Sequence, residues 1–353
     1  MKTIEKNIVI PSTLIQTKNV TLAFLIMASL TFFVVSNSNL QFASAHKSAD
    51  APHLDFIKQF GTPGGDDARG VFVDSSGDVY VVGITGGTLP DQTSEGGEFD
   101  AFILKYNSDG DEIWTRQFGT SDFDTAIEVT GDSSGGVYVV GNTNGEFPGQ
   151  TNVGGSDSFI RKYNPDGDEI WTRQFGTSGG VSATGVSADS SGGVYVVGGT
   201  GDTFPGQTSE GGGDAYIRKY NSDGDEIWTR QFGTSGVTEG NAVFADSSAG
   251  VYVVGLVDGT LPDQTSEGGE FDAFILKYNS DGDEIWTRQF GTSGSDVANR
   301  VSADSSGGAY VVGSTTGTFP SQTSEGGQDA FLAKFSNDDH NKKHHDDDHK
   351  KKH

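Results

Sequence analysis

The sequence predicts an all-β chain: a single five-bladed β-propeller with four antiparallel strands per blade, its ring closed by an N-terminal strand that completes the last blade. Two observations predict it. The segment Ile-Trp-Thr-Arg-Gln-Phe-Gly-Thr begins at Ile113, Ile170, Ile227 and Ile285, and a degenerate copy precedes them at residues 55–62. Its aromatic anchors Phe56, Trp114, Trp171, Trp228 and Trp286 are 58, 57, 57 and 58 residues apart, and a fixed period of this size marks a repeat architecture. Glycine is the second: 52 of 353 residues, about twice the ordinary ~7 %, which suits many turns rather than long helices.

The second copy shows how one repeat is built. Residues 126–132 read as a short strand, and Ser133-Ser134-Gly135-Gly136 as a turn. Residues 137–141, Val-Tyr-Val-Val-Gly, are β-branched and aromatic and predict a second strand. Residues 142–155 are rich in Gly, Pro and Gln, too broken for regular structure. A third strand is expected over 157–163, then a tight turn at Asn164-Pro165-Asp166-Gly167, where Pro fixes φ and Gly supplies φ > 0. Residues 169–175 form the fourth strand, with Trp171, Arg173 and Phe175 on one face and Ile170, Thr172 and Gln174 on the other. Four strands per repeat is the plan of a propeller blade. The first strand is poor in bulk, as in residues 185–189 and 300–304, which suits the crowded ring axis.

The ends of the repeat region complement each other. The fifth copy stops after its third strand, at residues 329–335, and residues 54–60 read as a fourth strand lacking the other three. Set beside the last blade, that strand would close the ring and cover an open sheet edge.

The recurring pattern V-x-x-D-S-S-G-x-V-Y-V-V-G, then F-P, then G-G-x-D-A-F-I-x-K-Y-N-x-D-G-x-x-x-W is carried by residues 71–83, Pro90, residues 96–114 and their equivalents. It resembles the SBBP-type β-propeller repeat of exported bacterial and archaeal proteins, over about residues 54–336. The resemblance implies a propeller on or outside the cell and brings no catalytic residues with it. Such propellers are often described with seven blades; five copies are present here.

The formal charge is −26, and without residues 1–45 it becomes −28, since Lys2, Lys6 and Lys18 leave with Glu5. So acidic a surface keeps a protein soluble and argues against nucleic acid and anionic lipid as partners, which are bound through Lys and Arg. No cysteine is present, so disulfide and thiolate chemistry are excluded. Lys2, Lys6 and Lys18 precede a 16-residue apolar run at 20–35, and Ala43-Ser44-Ala45 follows. This order predicts an export signal over residues 1–45, cleaved after Ala45, and no integral membrane span after its removal. A retained signal anchor is the alternative. Residues 46–53 form a linker, residues 54–337 the propeller and residues 338–353 a disordered His/Asp/Lys-rich tail. Five of the seven histidines lie in that tail: His340, His344, His345, His349 and His353. Neutral imidazoles at such density bind transition metals weakly, as His-rich peptides do; a solvated polyelectrolyte tail is the plainer reading.

Three constellations carry potential chemistry. Asn107, Asp109, Asp111 and Glu112, with equivalents from Asn164, Asn221 and Asn279, crowd oxygens on a tight turn that could hold Ca²⁺ or simply bond the turn's own backbone. They approach the Asp-box of sialidase-type propellers, but Asn107 replaces Ser and Gly110 comes one place early. Asp74, Asp132, Asp189, Asp246 and Asp304, each followed by Ser-Ser, either ring one mouth of a channel or form five β-turns. The copies differ at Gly70, Glu128, Gly185, Ala242 and Arg300, with Arg69, Phe72 and Phe244 nearby. Arg300 and Arg69 are expected on adjacent blades across the closure, as a small anion site; ordinary drift between copies explains them equally. The repeats hold no histidine and no G-x-S-x-G elbow, and the repeated Arg116, Arg173, Arg230 and Arg288 fall on outer strands.

The expected function is an exported, non-enzymatic binding scaffold at the cell exterior for a partner protein or polysaccharide, secreted or at the cell surface, with no required cofactor. The alternatives are a secreted carboxylate-dependent glycan lyase or hydrolase, and a Ca²⁺-stabilised structural cell-surface protein.

Overall fold

The computed structural model describes residues 54–132, 134–247 and 250–336. The expected signal, linker and tail, including all five tail histidines, lie outside the described residues. Among the described residues there are nineteen strands and no helix. The first sheet holds β1 (Asp66–Val73), β2 (Val79–Thr85), β3 (Asp100–Tyr106) and β4 (Glu112–Phe118). The second holds β5 (Asp124–Gly131), β6 (Val137–Thr143), β7 (Asp157–Tyr163) and β8 (Glu169–Phe175). The third holds β9 (Val181–Ala188), β10 (Val194–Thr200), β11 (Asp214–Tyr220) and β12 (Glu226–Phe232). The fourth holds β13 (Thr238–Ala245), β14 (Val251–Val257), β15 (Asp272–Tyr278) and β16 (Glu284–Phe290). The fifth has three strands, β17 (Asp296–Ala303), β18 (Ala309–Thr315) and β19 (Asp329–Phe335). In each sheet the strands lie in chain order and pair antiparallel. The first strands β1, β5, β9, β13 and β17 pack successively on one another, so they are the inner strands.

The core lies between blades. Val-Tyr-Val-Val alternates, and both of its faces are apolar, which suits the second, third and fourth blades, each with a neighbour on either side. Tyr80 and Val82 of the first blade pack with Val137 and Val139 of the second. Tyr138 and Val140 then pack with Val194 and Val196, Tyr195 and Val197 with Val251 and Val253, and Tyr252 and Val254 with Ala309 and Val311. Fully burying one such side chain stabilises by about 1.5–3 kcal/mol.

Polar latches repeat across the same junctions. The Trp114 indole N–H donates to the Pro165 carbonyl at 3.0 Å, and Trp171 and Trp228 donate at 3.0 Å to Ser222 and Ser280. Arg116, Arg173 and Arg230 donate through Nε at 2.8 Å to Gly167, Gly224 and Gly282. Gly167 is required there: its φ is +81°, and a Cβ would stand 2.7 Å from the Trp114 ring. On the inner strands a β-bulge places Arg69, Thr184 and Asn241 out of register. Each reaches the next inner strand, at Thr125 (2.7 Å), Gly240 (2.5 Å) and Ala298 (2.9 Å) respectively.

The expected closure is corrected by the structure. Residues 54–60 form no strand, and the fifth sheet has no fourth strand. Phe60 meets Phe102 edge-on at 5.6 Å and Tyr106 at 6.3 Å, as Phe118 meets Phe159 and Tyr163 one blade later. The Phe56 ring lies over Gly110 as Trp114 lies over Gly167. Two aromatic anchors thus hold this segment on the first blade, where burial is gained locally without pairing to β19. Val71 (66 % exposed) and Leu332 (69 % exposed) mark the two uncovered ends, and the five blades do not form a closed ring.

Candidate functional site: the inner strands and their turns

The Asp-Ser-Ser turns are built from their own carboxylates. Asp132 Oδ1 accepts the amides of Ser134 (2.8 Å) and Gly136 (2.9 Å), and Asp189 Oδ1 those of Ser191 (2.9 Å) and Gly193 (2.7 Å). Asp74 and Asp304 repeat the pattern, and Asp246 Oδ1 accepts the Gly250 amide at 2.8 Å. The second oxygen faces a lysine on the third strand: Lys162 to Asp132 at 3.1 Å, Lys277 to Asp246 at 3.0 Å. The first blade departs, with Lys105 pairing Asp78 at 3.0 Å. Burial alone would raise the Asp132 carboxyl, but Ser134, Lys162 and the backbone amides hold it below its ordinary value. These aspartates therefore form turns tied to lysines. Three of the turns still border a groove of 370 Å³, lined by Phe72, Asp74, Asp132, Gly135 and Asp189 among others.

The Asn-x-Asp-Gly turns behave alike. Asn107 Oδ1 accepts the amides of Asp109 (3.0 Å) and Asp111 (2.7 Å), and Asn164, Asn221 and Asn279 do the same. Glu112 accepts from Thr115 at 2.6 Å. Among the described residues no group of three or more His, Cys, Asp or Glu is placed to share a metal ion.

The residues that differ between copies behave otherwise. Glu128 on β5 is half-buried, with Gly70 and Gly185 on the flanking strands. Burial pushes its carboxyl up, and the Arg300 charge and the Val186 amide offset part of this. Arg300 is on β17, three blades away, so the inner strands bring opposite charges of non-neighbouring blades into one field. The expected Arg69–Arg300 anion site is corrected: Arg69 pairs with Asp67 at 3.2 Å and bonds Thr125, while Arg300 acts on Glu128. The sequence offered both Glu128 and Arg300 but no sign that the charge of one is felt by the other. It also offered no sign of the glutamine clamp. Gln174 bonds Phe147 N (3.0 Å), Gly145 O (2.9 Å) and Asp157 Oδ2 (3.0 Å), and so orders the loop between β6 and β7.

Comparison with known proteins agrees with this architecture. The chain carries the SBBP beta-propeller repeat, matched at residues 55–89, 113–148, 170–205 and 285–320. The regulatory protein FlaEY of Caulobacter vibrioides is 25 % identical over 269 residues, covering 67 % of this chain and 28 % of that protein. The chain thus spans under a third of that relative's length. Among solved structures, a catalytically inactive virginiamycin B lyase from Staphylococcus aureus with quinupristin is 12 % identical, with a TM-score of 0.42 over 77 % of this chain and 72 % of that one. A Synechocystis apocarotenoid oxygenase is 10 % identical, with a TM-score of 0.41 over 72 % and 57 %. At these scores neither bears on function.

Proposed function

We propose that the chain is an exported, non-enzymatic binding scaffold acting at the cell exterior on a partner protein or polysaccharide, with the inner strands and their turn groove as its binding face. One observation carries this reading. The repeated polar residues are engaged in turns and blade-to-blade latches, whereas Glu128 and Arg300, each found at its repeat position in one blade only, lie on the inner strands. A surface that discriminates between ligands needs residues that differ from blade to blade. The export order of residues 1–45 and the acidic charge support an exterior location and argue against nucleic acid. The name of the curated relative, a regulatory protein, suits a scaffold. Among the described residues no helix is long and apolar enough to cross a membrane. Weak transition-metal binding is assigned to His340, His344, His345, His349 and His353.

The test is a panel of glycans and isolated cell-envelope fractions, probed with the full chain and with Glu128→Gln and Arg300→Ala. Retention that both variants weaken supports the reading. Turnover of a panel glycan that Glu128→Gln abolishes would replace it with the carboxylate-dependent lyase or hydrolase.

A further inference from the structure

Each third strand opens on an aspartate, and each blade-to-blade junction sets it beside the first residue of the next inner strand. The partner differs from junction to junction. Between the second and third blades Asp157 meets Val181, and its oxygens are fully used by the amides of Val153 (2.9 Å) and Gly154 (3.1 Å) and by Gln174 (3.0 Å). Between the third and fourth blades Asp214 meets Thr238; Asp214 Oδ1 and the Thr238 hydroxyl are both buried without a hydrogen-bond partner, so one carboxylate there stands beside a neutral group that can turn its proton toward it.

The other two junctions set aspartate against aspartate. Asp100 (2 % exposed) faces Asp124 (0 %), and Asp272 (2 %) faces Asp296 (0 %). Oδ1 of Asp100 and Oδ2 of Asp124 lie 2.5 and 2.8 Å from the point where a Cβ on Gly119 would stand. Oδ1 of Asp272 and Oδ2 of Asp296 lie 2.7 Å from the same point on Gly291. The Oδ2 atoms have partners: Gln117 (2.7 Å) on Asp100, Thr120 N (2.6 Å) and Oγ1 (2.9 Å) on Asp124, Gln289 (2.7 Å) and Glu267 N (3.1 Å) on Asp272, and Thr292 N (2.7 Å) and Oγ1 (3.0 Å) on Asp296. The Oδ1 atom of all four is buried with no hydrogen-bond partner in the protein. A buried carboxylate oxygen without a donor is costly, and two facing carboxylates add repulsion.

We propose that the Asp100–Asp124 and Asp272–Asp296 pairs are two cation sites, each holding one Ca²⁺ between blades. The donors are all hard oxygens, the set that Ca²⁺ selects. Ca²⁺ takes about six to eight oxygens, so threonine hydroxyls, main-chain carbonyls and water would complete each shell. The chain contains its own control, since Val181 shows that an apolar residue is accepted at the second position.

Calorimetric titration of the chelator-treated full chain with Ca²⁺ tests the assignment. Two equivalents are expected, falling to one in Asp124→Val and in Asp296→Val and to none in the double variant. The melting temperature should rise with Ca²⁺ in the parent chain and not in the double variant. Absence of Ca²⁺ binding by the parent, or binding that survives in the double variant, would overturn it. So would a shared proton, seen as a parent melting temperature that rises on acidification and ignores Ca²⁺.

Discussion

The indole N–H of Trp171 donates to the carbonyl of Ser222, 51 residues later and one blade on, at 3.0 Å. The same indole packs against Tyr138 (5.9 Å) and Tyr220 (6.5 Å), and its strand neighbour Arg173 latches to Gly224 at 2.8 Å. One sequence period is thus one junction. Trp171→Ala should cost about 3–5 kcal/mol by removing a buried aromatic. Trp171→Phe should retain most of the packing and lose the hydrogen bond, about 1 kcal/mol plus the unmet carbonyl. Denaturant unfolding of both variants checks the order.

Arg161 and Arg218 occupy a buried position filled by Leu104 and Leu276 in the first and fourth blades. The exchange is coupled. Arg161 lies 4.3 Å over the Phe118 ring and 4.7 Å over Phe147, and Arg218 lies over Phe175 and Phe204. The leucine blades carry Leu89 and Leu261 where the arginine blades carry Phe147 and Phe204. Phe147→Leu and Arg161→Leu should each destabilise, and the double variant should recover about 0.5–2 kcal/mol of their sum. A double-mutant cycle by chemical denaturation measures it.

The Asp132–Lys162 pair predicts a limb of acid sensitivity. Asp132 has a lowered folded-state pKa despite its burial, so its contribution is present above the unfolded carboxylate value of about 3.9 and is lost as pH falls through the folded value. Asp132→Asn should lower the melting temperature at pH 7 and flatten its fall below pH 4. A variant that parallels the parent across that range would show that the pair does not couple to folding.

Zinc should separate from calcium. Imidazole must be neutral to bind metal, so Zn²⁺ retention should weaken below about pH 6.5. Replacing His340, His344, His345, His349 and His353 by Ala should abolish Zn²⁺ retention in equilibrium dialysis and leave Ca²⁺ uptake unchanged.

Much of the blade was legible because its period and its alternation agree. The third and fourth strands of the second copy fall at 157–163 and 169–175, as β7 and β8 do. The first strand begins two residues earlier than its pattern suggests, at Asp124, because polar Asp124 and Thr125 are buried at a junction rather than exposed. That same burial hides the carboxylate pairs: a pair spread over two blades has no signature along the chain. Residues 54–60 kept the aromatic spacing of a fourth strand, and spacing alone could not tell docking on the first blade from pairing with the last. The loop at 142–155 lacks any period because its order comes from individual side chains, Gln174 and Asp157 outside it and Asn152 within it.

The central claim is that recognition resides in residues that differ between blades. It is tested most directly by the equilibrium affinity of the best ligand in the envelope and glycan panel for the parent chain, Glu128→Gln, Arg300→Ala and the turn control Asp109→Asn. The account predicts at least tenfold weaker binding for the Glu128 and Arg300 variants at unchanged melting temperature, with Asp109→Asn binding as the parent does. Equal affinity in all four would contradict it.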